Sequence, residues 1–219
     1  MMKASAVKGI LITLIAVSAI AAGIWLGSGG RGKSALPIVE DTVITVLPKA
    51  KPLQPFRLQT GAGKEFDLDN LKGKYTLLFF GYTSCPDICP TTMYEMKKLY
   101  AMLEKDKLQN SYQVVFVSVD PRRDTLRRLE EYVAYFNKSF IGATGADEQI
   151  ATLAKQLGAS YEIEDNGKSK DYSVSHTGVI FVINPGAKFA AILSPPHQAS
   201  RIESRLVLLA QVENQGGNK

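Results

Sequence analysis

The sequence predicts an α/β fold with an N-terminal hairpin, a central mixed sheet and flanking helices. Three observations carry that expectation. Tyr75 to Tyr82 (YTLLFFGY) is a nearly continuous apolar run, as a central strand buried on both faces requires. The run leads directly into Ser84-Cys85-Pro86-Asp87-Ile88-Cys89-Pro90, a cysteine pair at the mouth of a helix. The chain then closes with two short apolar runs about a turn, followed by a last amphipathic segment.

Taken in order, the elements are these. Phe56-Arg57-Leu58 and Glu65-Phe66-Asp67-Leu68 alternate around Gly61-Ala62-Gly63, a hairpin signal. After the strand at 75–82, Pro90 to Lys107 places Met93, Met96, Leu99, Tyr100 and Leu103 at helical spacing. Gln113 to Val119 reads as a second buried strand. Asp124-Thr125 caps a helix to about Phe136. Phe140-Ile141-Gly142 is a short strand, and Asp147 caps a helix from Glu148 to Leu157. Glu164 to Asp171 is polar and turn-rich. Val179–Ile183 and Phe189–Leu193 flank Asn184-Pro185-Gly186, the turn of an antiparallel pair, and Ala199 to Gln211 forms the last helix. A strand, a cysteine pair at a helix start and a closing hairpin with helix together describe thioredoxin-like architecture.

The N-terminus belongs to a different physical class. Gly9 to Leu26 carries no charge, and at ~1.5 Å per residue a helix of this length reaches about 27 Å, close to the hydrocarbon thickness of a bilayer. Ala19-Ile20-Ala21 resembles a signal-peptidase site, but the apolar run continues through Ile24-Trp25-Leu26, which favours an uncleaved transmembrane anchor. Lys3 and Lys8 place the N-terminus in the cytoplasm, while Arg31 and Lys33 weaken that bias. The expected organisation is a cytoplasmic N-terminus at 1–8, an anchor or uncleaved signal at 9–26 and a tether at 27–54. A single domain at 55–212 and a flexible tail at 213–219 follow.

The chain carries 26 Lys+Arg against 21 Asp+Glu, and no block of like charge points to nucleic acid. A domain of this size buries a real core without staples, so the two cysteines are not needed to hold a small fold together. A bridge across so short a loop would contribute only about 2 kcal/mol or less.

The chain's chemistry therefore rests on Cys85, Cys89 and His176, the last in Tyr172-Ser173-Val174-Ser175-His176-Thr177. Pro90 disfavours the α region for the residue before it and is tolerated at the first helical position. Cys89 is therefore expected as the helix cap and Cys85 in the preceding loop. The positive helix end lowers thiol pKa values, and both metal binding and disulfide exchange need a thiolate. Two thiolates and an imidazole suit a soft ion such as copper(I), whereas structural zinc usually has four protein ligands. The same two thiols can also close into a disulfide. His197, beside Pro195-Pro196, reads as a loop residue. Met93 and Met96 read as core, Asp120 and Asp124 as turn and cap residues, and Asp87 as either a solvated turn residue or a tuner of the thiols.

The chain resembles the Sco/SenC family of membrane-anchored copper proteins. The resemblance rests on Gly81 to Thr91 (GYTSCPDICPT), Val117 to Thr125 (VSVDPRRDT) and Tyr172 to Thr177 (YSVSHT). It implies a thioredoxin-like fold and copper, as Cu(I) or Cu(II), bound by Cys85, Cys89 and His176. It also implies delivery to the binuclear copper site of a cytochrome c oxidase subunit, with a thiol reductant protein as second partner. The implied location is the bacterial inner membrane with the domain in the periplasm, or the mitochondrial inner membrane facing the intermembrane space. The alternative is a thiol–disulfide oxidoreductase whose redox pair, Cys85 and Cys89, reduces the oxidase cysteines. Many relatives carry an acidic residue where Ser175 stands and serine where Thr177 stands.

Overall fold

The computed structural model describes residues 43–164 and 172–216. The anchor expected at 9–26 and most of the polar segment at 164–171 lie outside the described residues, and among the described residues no helix is long and apolar enough to cross a membrane.

Ten strands and four helices are described. The strands are β1 (Ile44–Pro52), β2 (Leu58–Thr60), β3 (Glu65–Phe66), β4 (Tyr75–Gly81), β5 (Tyr112–Ser118), β6 (Ile141–Thr144), β7 (Tyr161–Glu164), β8 (Ser173–His176), β9 (Ile180–Asn184) and β10 (Lys188–Leu193). The helices are α1 (Ile88–Lys105), α2 (Leu126–Phe136), α3 (Asp147–Leu157) and α4 (Ala199–Gly216). Eight strands form one mixed sheet in the order β1-β10-β9-β4-β5-β6-β2-β3. Within it β4, β5 and β6 run parallel, and β9 lies antiparallel against β4.

The apolar runs at the centre are covered on both faces. Alternate residues of β4 point to opposite sides. Leu77 and Phe79 join one cluster with Met93, Met96 and Leu99 of α1, Leu129 and Val133 of α2, and Ile202 and Leu206 of α4. Leu78 and Phe80 join the other, with Ile150 and Leu153 of α3 and with Phe56, Phe66 and Val174. Each of these side chains adds roughly 1.5–3 kcal/mol by leaving water, and the buried polar residues of the central strands, Thr76 and Ser118, are hydrogen-bonded to Gln113 and Asp124.

Three expectations need correction. Residues 44–52 are not tether: they form β1, paired with β10 at the sheet edge. Pro48, Lys49, Lys51 and Pro52 give the segment a linker's composition, and the same residues protect an edge strand from further pairing. The tail expected from 213 is helical to Gly216, because the Glu213 carboxylate accepts from the Tyr75 hydroxyl at 2.7 Å and from Asn184 Nδ2 at 2.9 Å. Helix α3 begins after Ala146, with no side-chain cap from Asp147. The strands β7 and β8, absent from the sequence reading, pair as a separate antiparallel ribbon.

Candidate metal centre

Strand β4 ends at Gly81, and the Tyr82–Asp87 loop carries Cys85 before α1 begins. Cys89 is not the cap. Asp87 is, and Cys89 sits in the first turn with Pro90 behind it. The first four helical N–H groups have no partner within the helix, so proline at the third position removes nothing the helix uses. This placement turns Cys89 inward to full burial, while Cys85 in the loop stays half-buried. The sulfur of Cys89 presses against the end of β4: a Cβ on Gly81 would come within 2.6 Å of it and 2.8 Å of Phe116 Cε2. Only a residue without a side chain leaves that room.

His176 ends β8, and among the described residues β8 pairs only with β7, Tyr161 opposite His176. The next residue locks the ribbon. Thr177 N–H donates to the Ser160 carbonyl at 2.9 Å, and Ser160 N–H donates to Thr177 Oγ1 at 2.8 Å. The imidazole meets Phe79 edge-on at 5.7 Å and Tyr82 at 6.1 Å between centroids. Its Nδ1 lies 3.3 Å from the Thr177 carbonyl and its Nε2 lies 3.3 Å from Cys89 Sγ. With the proton on Nδ1, donated to that carbonyl, the Nε2 lone pair faces the sulfurs. The two sulfurs and one ring nitrogen form a group whose ligand atoms all lie within 4.8 Å of one another.

The two thiols differ in how they hold a proton. Cys85 is lowered to about 4, chiefly by the hydrogen bond from Cys89 and further by the Asp87 and Cys89 N–H groups. Cys89 is raised well above the usual thiol range by donating that bond and by burial. The pair thus loses its first proton from Cys85, the sulfur nearer solvent, and keeps the second on Cys89.

His197 stands outside this group. Its Nε2 is 2.9 Å from the Gly178 carbonyl, and burial lowers its pKa. Met93 and Met96 are fully buried core, and Asp87 is exposed, touching the Cys85 thiol through its backbone N–H. Asp124 does not cap α2; Thr125 does, accepting from Arg128 N–H at 3.3 Å. Asp124 is buried and accepts from Thr83 N–H at 2.9 Å and from Ser118 Oγ at 2.6 Å. The role of Gly81 escaped sequence reasoning because nothing in a one-dimensional pattern says which atom faces a glycine. The β8 strand had a signal: in Tyr172-Ser173-Val174-Ser175-His176, Val174 is buried between two exposed serines, a period of two.

Fold and centre together describe a thioredoxin-like domain in which a Cys-x-x-x-Cys loop and a distant histidine converge. The SCO1/SenC family profile matches residues 45–211, and the chain belongs to that family. The chain is 37% identical over 155 residues to protein SCO1 homolog 1, mitochondrial, of Arabidopsis thaliana. That match covers 70% of this chain and 45% of the plant protein. Arabidopsis thaliana ScoI with copper bound superposes with a TM-score of 0.66 at 32% identity, covering 72% of this chain and 97% of that one. Apo Sco1 from Thermus thermophilus gives 0.68 at 35% identity, covering 75% and 95%.

Proposed function

We propose that this chain is a copper metallochaperone whose ligands are Cys85, Cys89 and His176. The observation that carries the reading is the convergence of two sulfurs and one imidazole nitrogen within 4.8 Å. That donor set contains no carboxylate oxygen, and soft sulfur with imidazole selects copper(I) over hard cations. A relative of this fold has been solved with copper bound, which supports the same cargo here. The cargo passes by ligand exchange to the binuclear copper site of a cytochrome c oxidase subunit. Exposure favours transfer: Cys85 is half-buried and His176 sits on a ribbon outside the main sheet, so an incoming ligand reaches the ion from that side. The uncharged Gly9–Leu26 segment anchors the domain to a membrane, facing the periplasm or the intermembrane space.

Copper(I) competition titration of the reduced chain tests this. Affinity should fall on His176→Ala and further on either Cys→Ser; affinity unchanged by loss of the imidazole removes His176 from the ligand set.

A second reading follows from the unequal thiols. The Cys85 thiolate attacks a partner disulfide, forming a mixed disulfide and releasing one partner thiolate. Cys89 then attacks Cys85 Sγ and releases the second partner sulfur, which takes up the Cys89 proton as it leaves. The partner gains two electrons, and this chain ends with a Cys85–Cys89 disulfide that a separate dithiol reductant must reopen. Turnover with a disulfide substrate and that reductant distinguishes this role, because it is unchanged by His176→Ala whereas copper affinity falls.

A further inference from the structure

The segment Asp120-Pro121-Arg122-Arg123-Asp124 follows β5 and contributes no ligand atom to the centre, yet both of its carboxylates are fully buried. A buried carboxylate is retained only where it is paired and hydrogen-bonded. The partners of these two lead to opposite halves of the site.

Asp120 pairs with Arg123 Nε and accepts from the Tyr172 hydroxyl at 2.6 Å. Arg123 in turn donates from Nη1 to the Tyr172 carbonyl at 2.8 Å. Its guanidinium lies 3.6 Å from the Tyr172 ring centroid and 5.4 Å from that of Tyr82. Arg122 covers Tyr172 as well, at 5.3 Å. Tyr172 is the residue before β8, and the Tyr82 ring touches the His176 imidazole edge-on. Arg123 is therefore wedged between the ring that contacts the imidazole and the residue that leads into its strand.

Asp124 faces the other way. It accepts from Thr83 N–H at 2.9 Å and from Thr83 Oγ1 at 2.5 Å, two residues before Cys85. Arg128 completes this grip, donating to Thr83 Oγ1 at 2.7 Å and Ser84 Oγ at 3.0 Å. One turn thus holds a loop from residue 83 and a strand from residue 172.

We propose that the Asp120–Asp124 turn is the positioning element of this centre, Arg123 fixing the His176 side through Tyr172 and Tyr82, and Asp124 fixing the Cys85 side through Thr83. The copper arms of its test rest on the metallochaperone reading; the exchange arm does not. The full chain is used throughout, with copper(I) as the probe. Arg123→Ala should lower copper(I) affinity by about 10-fold, the low end for residues that orient a ligand. That loss should vanish in a His176→Ala background, since Arg123 acts through the imidazole. Thr83→Val should also weaken binding, but its loss should persist in that background. In the metal-free chain, Arg123→Ala should speed hydrogen exchange of the Ser173–His176 amides about 10-fold and leave the β4 amides unchanged. If Arg123→Ala does not fold, Tyr172→Leu removes the ring and hydroxyl while leaving the Asp120–Arg123 pair, and carries the same expectations. Unchanged affinity and exchange, an Arg123 loss that persists in full without His176, or faster exchange in β4 and β8 alike would each overturn the proposal. Copper affinity indifferent to His176→Ala would instead overturn the ligand set, and the exchange arm would still decide the positioning role.

Discussion

The thiol loop and the histidine ribbon contribute to one centre from opposite structural circumstances. Cys85 and Cys89 are delivered by β4 and α1, whose core residues are fully buried between the helices and the sheet. His176 is delivered by a two-stranded ribbon with one buried side chain, Val174, in the whole of β8. Apolar burial fixes the first segment, whereas the second is fixed by polar contacts at its ends: Thr177 with Ser160, Gly178 with His197, and Tyr172 with Asp120 and Arg123. The proposed carrier role uses both properties. On the proposed copper reading, the two sulfurs stay put and the histidine, on the segment with less apolar burial, is the ligand that yields.

That contrast breaks first at the ligands themselves. Cys89→Ser should cost at least about 100-fold in copper(I) affinity, more than the ~10–100-fold typical of outer-shell residues. His176→Ala should cost visibly less, because two soft thiolates remain. Equal losses, measured by competition with a copper(I) chelator, would remove the distinction between fixed and yielding ligands.

A backbone substitution sharpens the same point. Gly81→Ala puts a methyl 2.6 Å from Cys89 Sγ and 2.8 Å from Phe116. On so rigid a segment neither neighbour yields cheaply, so denaturant melts should show a loss of roughly 1–3 kcal/mol. Metal affinity should fall as well, since the displaced atom is one of the proposed ligands.

The thiols separate by pH. With Cys85 lowered to about 4 and Cys89 raised, iodoacetamide on the metal-free reduced chain at pH 6 should modify Cys85 first, about 10-fold faster or more. A thiolate persists above its pKa, so the Cys85 rate should stay level from pH 8 to pH 6 and decline only as pH falls towards 4. Peptide mapping reads both sites at once.

The smallest expected effect lies on the ribbon. Thr177→Val deletes the hydroxyl that accepts from Ser160 N–H and donates to the Ser160 carbonyl. These bonds are largely exposed, so global stability should change by only about 0.5–1.5 kcal/mol, while hydrogen exchange at Ser173–His176 should accelerate. A global loss as large as that of Gly81→Ala would mean the ribbon is as rigid as the thiol loop.

How much of this was legible follows the same division. Strands β4 and β5 and helix α1 announce themselves because two-sided burial writes long apolar runs and helical spacing into the chain. Strand β1 does not, since an edge strand with Pro48 and Pro52 has a linker's composition. The β7–β8 ribbon buries little and leaves only the faint alternation about Val174. Of the site, Cys85, Cys89 and His176 were identifiable by residue type and by family resemblance. Asp124 was legible as a residue of interest but not as the group that holds Thr83, because that partner lies 41 positions away.

By itself the sequence determined which chemistry this protein has to offer: two thiols four positions apart, one imidazole far along the chain, and an apolar pattern that can only be satisfied inside a two-faced sheet. Tertiary structure alone decided that the imidazole meets the sulfurs, that Cys85 is the more acidic of the two thiols, and that a turn without a ligand atom in the centre grips both halves. The reason is physical. Hydrophobic periodicity is local and survives in one dimension, whereas convergence, desolvation and hydrogen bonding depend on distances that exist only once the chain has closed on itself.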